Sequence, residues 1–106
     1  MKIKAITEKP QNLINAIEKA FNNDELKSWE KVPNNQKQIL YSHIPDQWTD
    51  KALISPEIFD DYVLFQVAWW ADNGEPEESI KGYIVGRFME ILHVHFETKF
   101  DCLIVD

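Results

Sequence analysis

Large apolar residues recur at every fourth position towards the C-terminal end of this chain: Ile80, Ile84, Phe88, Leu92 and Phe96. Three more apolar residues widen this stripe: Tyr83, Ile91 and Val94. At about 100° per residue, the spacing predicts one long helix over residues 79–98, with more than half of its circumference apolar. A helix of this kind is too apolar to lie on a surface, so we expect other elements to enclose it.

Two glycines, Gly82 and Gly86, lie inside the predicted helix, four residues apart and opposite its apolar stripe. Each costs about 1 kcal/mol relative to alanine. Small residues at this spacing allow another backbone to come close. Packing against a neighbouring helix of the same chain is the favoured interpretation, and contact with a partner is the alternative. A membrane dimer through these glycines is not supported, because charged residues interrupt the apolar run.

The length and composition favour one globular domain over residues 1–106, with a single hydrophobic core. No apolar run is long enough to cross a membrane, and the N-terminal residues lack the apolar centre of a signal peptide. These features predict a cytoplasmic protein. The sole cysteine, Cys102, lies in an apolar run, so it is expected to be a buried, unreactive thiol.

The formal charge of −7 is concentrated in one third of the chain. Residues 46–78 contain nine acidic residues and one basic residue, Lys51. The remainder of the chain is nearly neutral. Contact with nucleic-acid phosphates needs a basic surface, so direct nucleic-acid binding is disfavoured. A basic protein partner is favoured instead, because opposite charges steer association. The alternative, which the charge alone supports equally, is an acidic surface that only keeps the protein in solution.

The first half of the chain predicts a short strand over residues 2–6 and a helix over residues 7–23, with Pro10 in its first turn. Residues 24–32 are compatible with another short helix. Asn34 and Asn35 mark either a hairpin turn, which would pair residues 28–32 with 38–42, or the cap of a helix over residues 36–44. The helix is the favoured interpretation.

The signals in the middle of the chain disagree with one another. Ser55, Pro56 and Glu57 are typical of a helix start, and Asn73 with Gly74 is typical of a helix end. The residues between them are rich in β-branched and aromatic side chains, which favour a buried strand. The capping signals favour a helix over residues 58–72, and a strand over residues 61–70 is the alternative.

Residues 100–105 are too apolar for a loose tail, and they predict a strand that pairs with residues 2–6. The predicted fold is therefore α+β and helix-dominated: a long buried helix over residues 79–98, packed by other helices, with a small sheet formed by the two ends of the chain. The alternatives are an all-α bundle and a larger antiparallel sheet that includes residues 61–70.

The sequence contains no phosphate-binding loop, no serine-nucleophile motif and no set of zinc ligands. Glu90 and His93 share one helix face at the spacing that di-iron bundles use, but a second such motif is missing. A solvated helix surface is the favoured interpretation, so we expect no metal, no cofactor and no enzymatic activity. Trp69 and Trp70 must diverge on any regular element, and the favoured interpretation is that neighbouring elements cover both rings. The alternative is that one of the two rings is partly exposed and serves as an apolar anchor for a partner.

A family resemblance enters with the run from Ile80 to Leu92, which is followed by His95 and Phe96. This run resembles the C-terminal helix of small immunity proteins of bacterial toxin systems, including contact-dependent growth inhibition and related polymorphic toxins. The acidic stretch and the length of the chain are similar too. The resemblance implies a cytoplasmic antidote that binds a cognate toxin domain, often a basic nuclease, and blocks its active site or substrate surface. It implies no catalytic residues.

These observations together predict an immunity protein that neutralises a basic toxin domain through an acidic surface. The expected partner-binding residues form two acidic clusters and an apolar anchor: Asp46, Asp50 and Trp48, and Asp72, Glu75, Glu77 and Glu78. No nucleic-acid or membrane partner is expected, and the chain is expected to be a monomer or a weak dimer. The alternatives are a non-catalytic interaction or regulatory module that dimerises through Gly82 and Gly86, and a small enzyme or metal-binding protein built on Glu90 and His93.

Overall fold

The computed structural model describes residues 1–45 and 52–106. In this part of the chain, two α-helices lie on one face of a six-stranded antiparallel sheet with the strand order β2-β3-β4-β5-β1-β6. The helices are α1 (Pro10–Asn22) and α2 (Glu78–Phe96). The strands are β1 (Lys2–Ile6), β2 (Trp29–Pro33), β3 (Ile39–His43), β4 (Leu53–Ile58), β5 (Tyr62–Ala68) and β6 (Cys102–Val105).

The sheet dominates the molecule, so the predictions of a helix-dominated fold and of an all-α bundle are wrong. The largest error is the helix over residues 58–72, where β4 and β5 form a hairpin instead. Ser55 and Pro56 lie inside β4 and start no helix. β4 pairs with β3 only at Leu53 and Ile54, so Pro56 has a neighbouring strand on one side, where proline is tolerated.

The favoured helix over residues 36–44 is also wrong, because β2 and β3 form a hairpin. The Asn34 side chain serves the turn and caps no helix: its Oδ1 accepts hydrogen bonds from the backbone N–H groups of Gln36 and Gln38, each at 2.9 Å. Lys37 adopts a left-handed conformation with φ of 64°, which turns the chain back into β3. The short helix expected over residues 24–32 is replaced by β2.

Regular sequence patterns near the two ends of the chain are confirmed as elements. The alternation over residues 2–6 forms β1, and the period of four forms α2. β6 pairs antiparallel with β1, with Val105 opposite Ile3, as the apolar character of both segments predicts. The termini therefore contribute two strands to a sheet that is three times larger than expected.

The core between the helices and the sheet is centred on Phe88 of α2. The centre of its ring lies 4.8 Å from that of Phe65, 5.4 Å from that of Trp29 and 5.7 Å from that of Tyr41. These residues come from three different strands, and all four are buried. Each large side chain removed from water contributes about 1.5–3 kcal/mol, so this cluster joins α2 to the sheet.

Helix α2 lies on the sheet with one side exposed, so the expectation that other elements enclose it is wrong. Val94, predicted to widen the buried stripe, is 69% exposed, while Val85 and Lys81 are buried instead. A Cβ atom added at Gly86 would meet no atom within 4 Å in the described residues, so Gly86 packs against no neighbouring helix there. Cys102 is also exposed, because β6 is an edge strand, and its predicted burial is wrong.

Candidate protein-binding site

Four of the predicted partner-binding residues lie in the connection from β5 to α2 or at the start of α2: Asp72, Glu75, Glu77 and Glu78. Together with Trp69 and Lys81, they form a surface that we call the acidic corner. A short 3₁₀ turn over Ala71–Asn73 follows the end of β5. Gly74 then adopts a φ of 72°, which only glycine takes at little cost. The Asn-Gly pair therefore ends a turn, and α2 begins four residues later at Glu78.

Lys81 organises the acidic corner from the first turn of α2. It is only 6% exposed, and its ammonium group donates hydrogen bonds to Glu75 Oε2 and, at 3.0 Å, to Glu78 Oε1. The hydrogen bond to Glu75, followed by that to Glu78, raises the pKa of Lys81, so the ammonium group remains charged. Its Nζ atom also lies 5.4 Å from the centre of the Trp69 ring, a distance typical of a cation–π contact.

The four predicted carboxylates therefore fall into two pairs. Glu75 and Glu78 are bound to Lys81 within the chain. Asp72 and Glu77 are exposed and make no hydrogen bond or ion pair through their side chains in the part of the chain that the structure describes. Two carboxylates thus bind one buried ammonium group, and Asp72 and Glu77 add negative charge that no cation of the described residues pairs with.

Trp69 adds an apolar surface to the corner. Its ring is 38% exposed, whereas Trp70 is half-buried, so the expectation that both rings are covered is wrong for Trp69. Trp69 was predicted only as an alternative apolar anchor, and Lys81 was missing from the predicted site. The signal for Trp69 was its position three residues before Asp72. The signal for Lys81 was its position beside the apolar stripe, where a lysine either extends its ammonium group to solvent or meets carboxylates at the rim of the helix.

The other predicted cluster and its anchor, Asp46, Asp50 and Trp48, lie outside the described residues. The structure therefore brings together only the residues of the second cluster. Glu90 and His93, the candidate metal pair, are both exposed. Within residues 1–45 and 52–106, no three potential metal ligands come together.

A separate groove of about 390 Å³ lies between α2 and the end of β3, with Trp29, His43, Tyr83 and Arg87 among its walls. His43 is buried, and its Nδ1 atom has no hydrogen-bond partner in the described residues. Burial, and then the nearby Arg87 charge, lower the pKa of His43 below its usual 6.5, so the imidazole is neutral at pH 7. The described walls of the groove contain no cysteine, and they include Ser28 and Lys27.

No protein-family model, curated protein or solved structure matches this chain. Among the helices of the described residues, none combines the length and the apolar character that a membrane span requires. Any functional conclusion therefore rests on the geometry of the acidic corner and on the chemistry of its side chains.

Proposed function

We propose that this protein is a non-catalytic binding protein that recognises a basic partner protein through the acidic corner. One observation supports this proposal above all. Lys81 holds Glu75, Glu78 and the Trp69 ring in place, while Asp72 and Glu77 project exposed carboxylates beside them. The corner thus presents fixed negative charge next to an exposed aromatic surface.

This arrangement suits recognition of lysine and arginine side chains. Exposed carboxylates attract a basic surface over a distance of about one Debye length, which accelerates association. Tryptophan is enriched among the residues that dominate binding energies, and its ring can accept both apolar and cationic groups. Because the loop is already held by Lys81, little conformational freedom remains to be lost on binding.

The finer proposal is that the protein is an immunity protein, and that its partner is a toxin domain with a basic, nucleic-acid-binding surface. The resemblance of the run from Ile80 to Leu92 to immunity proteins supports this assignment. In the cytoplasm, Asp72 and Glu77 would occupy positions that substrate phosphates take on the toxin. The antidote would then block substrate binding without any chemical step.

The first experiment identifies the partner and its dependence on charge. Tagged protein is used to capture partners from a lysate of its host at low and at high salt. We expect one basic protein that is lost as the salt concentration rises. A partner that is acidic, or whose capture is independent of salt, would contradict the proposal.

The second experiment tests the acidic corner with the captured partner. The double variant Asp72→Asn/Glu77→Gln is expected to associate about tenfold more slowly and with a weaker salt dependence, because exposed interface charges act mainly on the association rate. The matched control is Glu8→Gln/Asp60→Asn, which removes two exposed carboxylates elsewhere. Equal effects of the two double variants on the association rate would show that net charge, and not the corner, guides binding.

A further inference from the structure

Two walls of different origin form the groove between α2 and the end of β3. One wall includes side chains that recur at every fourth position of α2: Tyr83, Arg87, Ile91 and His95. Residues at this spacing share one face of a helix. The other wall includes residues 25–29 and His43 of β3. The volume of about 390 Å³ falls within the range of small-molecule sites, about 300–1,000 Å³.

The wall opposite α2 is held by backbone hydrogen bonds. The N–H group of Glu25 donates a hydrogen bond of 2.9 Å to the carbonyl oxygen of Ala20 in α1. The N–H group of Ile44, which follows β3, donates one of 2.7 Å to the carbonyl oxygen of Ser28. Because these bonds tie the wall to a helix and to a strand, little conformational freedom remains to be lost when a ligand binds.

Aromatic rings line the inner part of the groove. The centre of the His43 ring lies 4.9 Å from that of Trp29 and 6.0 Å from that of Tyr83, and both contacts are edge-on. His43 is only 5% exposed, and its buried Nδ1 atom has no hydrogen-bond partner in the described residues. Buried polar groups normally have a partner. A ligand with a polar group at this depth would supply one after a small rotation of the imidazole.

Two opposite charges lie side by side at the groove. The guanidinium carbon of Arg87 lies 5.1 Å from the centre of the Tyr83 ring, and its Nη1 atom lies 3.4 Å from Glu90 Oε2. Both charged side chains are exposed, and exposed ion pairs contribute little to stability, so each group can also bind a ligand. The planar guanidinium group matches a carboxylate, and Glu90 can accept hydrogen bonds from an ammonium group.

The charges of the groove exclude several classes of ligand. Glu25 and Glu90 would repel a phosphate group, and Lys27 is already 3.5 Å from Asp24. A metal ion is disfavoured because no three potential ligands come together in residues 1–45 and 52–106. A wholly apolar molecule would remove water from charged groups without replacing its hydrogen bonds. A molecule that carries one charge of each sign and an aromatic ring fits these walls best.

We propose that the groove binds a free aromatic α-amino acid whose ring carries a polar group, as that of tyrosine does. Its carboxylate would bind Arg87, and its ammonium group would bind Glu90. The aromatic ring would lie against Tyr83, and the polar group at its end would form a hydrogen bond with His43. The described walls of the groove include no residue of the acidic corner, so the inference goes beyond the proposed function.

The probe for this test is L-tyrosine, titrated at pH 7 into the isotope-labelled full chain while backbone amide NMR signals are recorded. We expect shifts concentrated at Ser28, His43 and Arg87. Three analogues each lack one group: tyramine lacks the carboxylate, N-acetyl-L-tyrosine the ammonium group and L-phenylalanine the hydroxyl group. The first two are expected to bind about tenfold more weakly than L-tyrosine. L-phenylalanine is expected to bind about fivefold more weakly, because a neutral hydrogen bond contributes less than a charged one.

Three variants assign each group of the ligand to a residue. Arg87→Gln should weaken binding of L-tyrosine about tenfold but leave that of tyramine unchanged, because tyramine has no carboxylate. Glu90→Gln should weaken L-tyrosine similarly and leave N-acetyl-L-tyrosine unchanged. His43→Phe should remove the preference for L-tyrosine over L-phenylalanine. The matched control is Lys9→Gln, which removes an exposed cation at the start of α1 and should bind L-tyrosine as the native chain does.

The proposal is overturned if saturating L-tyrosine shifts no signals at the groove. It is also overturned if Arg87→Gln weakens L-tyrosine and tyramine equally, since that result would mean a general disturbance of the groove. Equal affinity of the native chain for L-tyrosine and L-phenylalanine would contradict the role given to His43, and with it the requirement for a polar group on the ring. Arg87 and Glu90 are exposed, so their variants are expected to fold and to keep the test decisive.

Discussion

The aromatic core around Phe88 and the acidic corner around Trp69 both depend on α2. Buried contacts between rings stabilise the core, whereas charged contacts at the surface stabilise the corner. Phe88 is buried among three other rings, whereas Trp69 is partly exposed over the charged group of Lys81. Lys81 and Phe88 are seven residues apart and therefore on the same side of the helix. One helix side thus contributes to the core in its middle and to the proposed binding surface at its beginning, and we expect that the two can be altered separately.

Truncation of a core side chain should give the largest loss in the free energy of unfolding. Phe88→Ala is expected to lower the free energy of unfolding by about 3–5 kcal/mol, because it leaves a cavity that three strands cannot collapse to fill. Trp69→Ala should cost much less, since its ring is already partly in water. Denaturant unfolding monitored by circular dichroism measures both. Comparable losses would show that the corner is part of the core.

The hydroxyl group of Tyr41 tests whether a buried polar group in the core lacks a hydrogen-bond partner. The Oη atom is buried without a hydrogen-bond partner in the described residues, and burial, followed by the charge of Glu18, raises the pKa of Tyr41. Tyr41→Phe is expected to stabilise the protein by about 1 kcal/mol, because an unsatisfied polar group is removed while the ring contacts remain. A loss of stability in thermal unfolding would reveal a hydrogen bond to this hydroxyl group.

Acid titration should reveal the contribution of the buried His43 to the free energy of unfolding. In the unfolded chain, His43 binds a proton near its usual pKa of 6.5. In the folded chain the pKa of His43 is lowered, so the proton binds only at a lower pH. The unfolded state therefore binds more protons between the two pKa values, and stability falls as the pH decreases through that window. His43→Phe should flatten this part of the curve of unfolding free energy against pH. An unchanged slope would assign the effect to other groups.

The smallest effects are expected among the carboxylates of the corner. Glu77→Gln should change the free energy of unfolding by no more than about 0.5 kcal/mol, as is usual for an exposed residue without partners. Glu75→Gln should destabilise more, because the buried Lys81 loses a charged partner. Equal effects in parallel thermal melts would contradict the division of the four carboxylates into two pairs.

Patterns that repeat over several turns or alternate within one strand predicted single elements correctly, although the helix-dominated fold was wrong. α2 and β1 are of this type, because their buried residues recur at the period of the element itself, whereas β6 was predicted from its apolar composition. β4 and β5 failed because Ser55, Pro56 and Glu57 are a local helix signal, while their strand conformation depends on pairing with residues elsewhere in the chain. Such pairing leaves no trace at short range in the sequence.

The candidate site was predictable in composition but not in arrangement. Asp72, Glu75, Glu77 and Glu78 stand out by charge alone. Which of them is bound within the chain depends on Lys81, which contacts Glu75 only because the loop folds back over the first turn of α2. The contact of Lys81 with Trp69 likewise requires the end of β5 to lie beside that turn. Both contacts of Lys81 depend on tertiary structure, so they could not be predicted from the sequence pattern alone.

The position of β1 also has a consequence for how the protein is made. The β2–β3 and β4–β5 hairpins join strands that are close in sequence, but β1 lies between β5 and β6, whose residues are synthesised much later. Non-local pairing of this kind is slow to form. We expect the two hairpins to organise early on the ribosome, while the first strand remains an unpaired apolar segment until Tyr62–Ala68 emerges. Chaperones that bind extended apolar chains would encounter it during that interval.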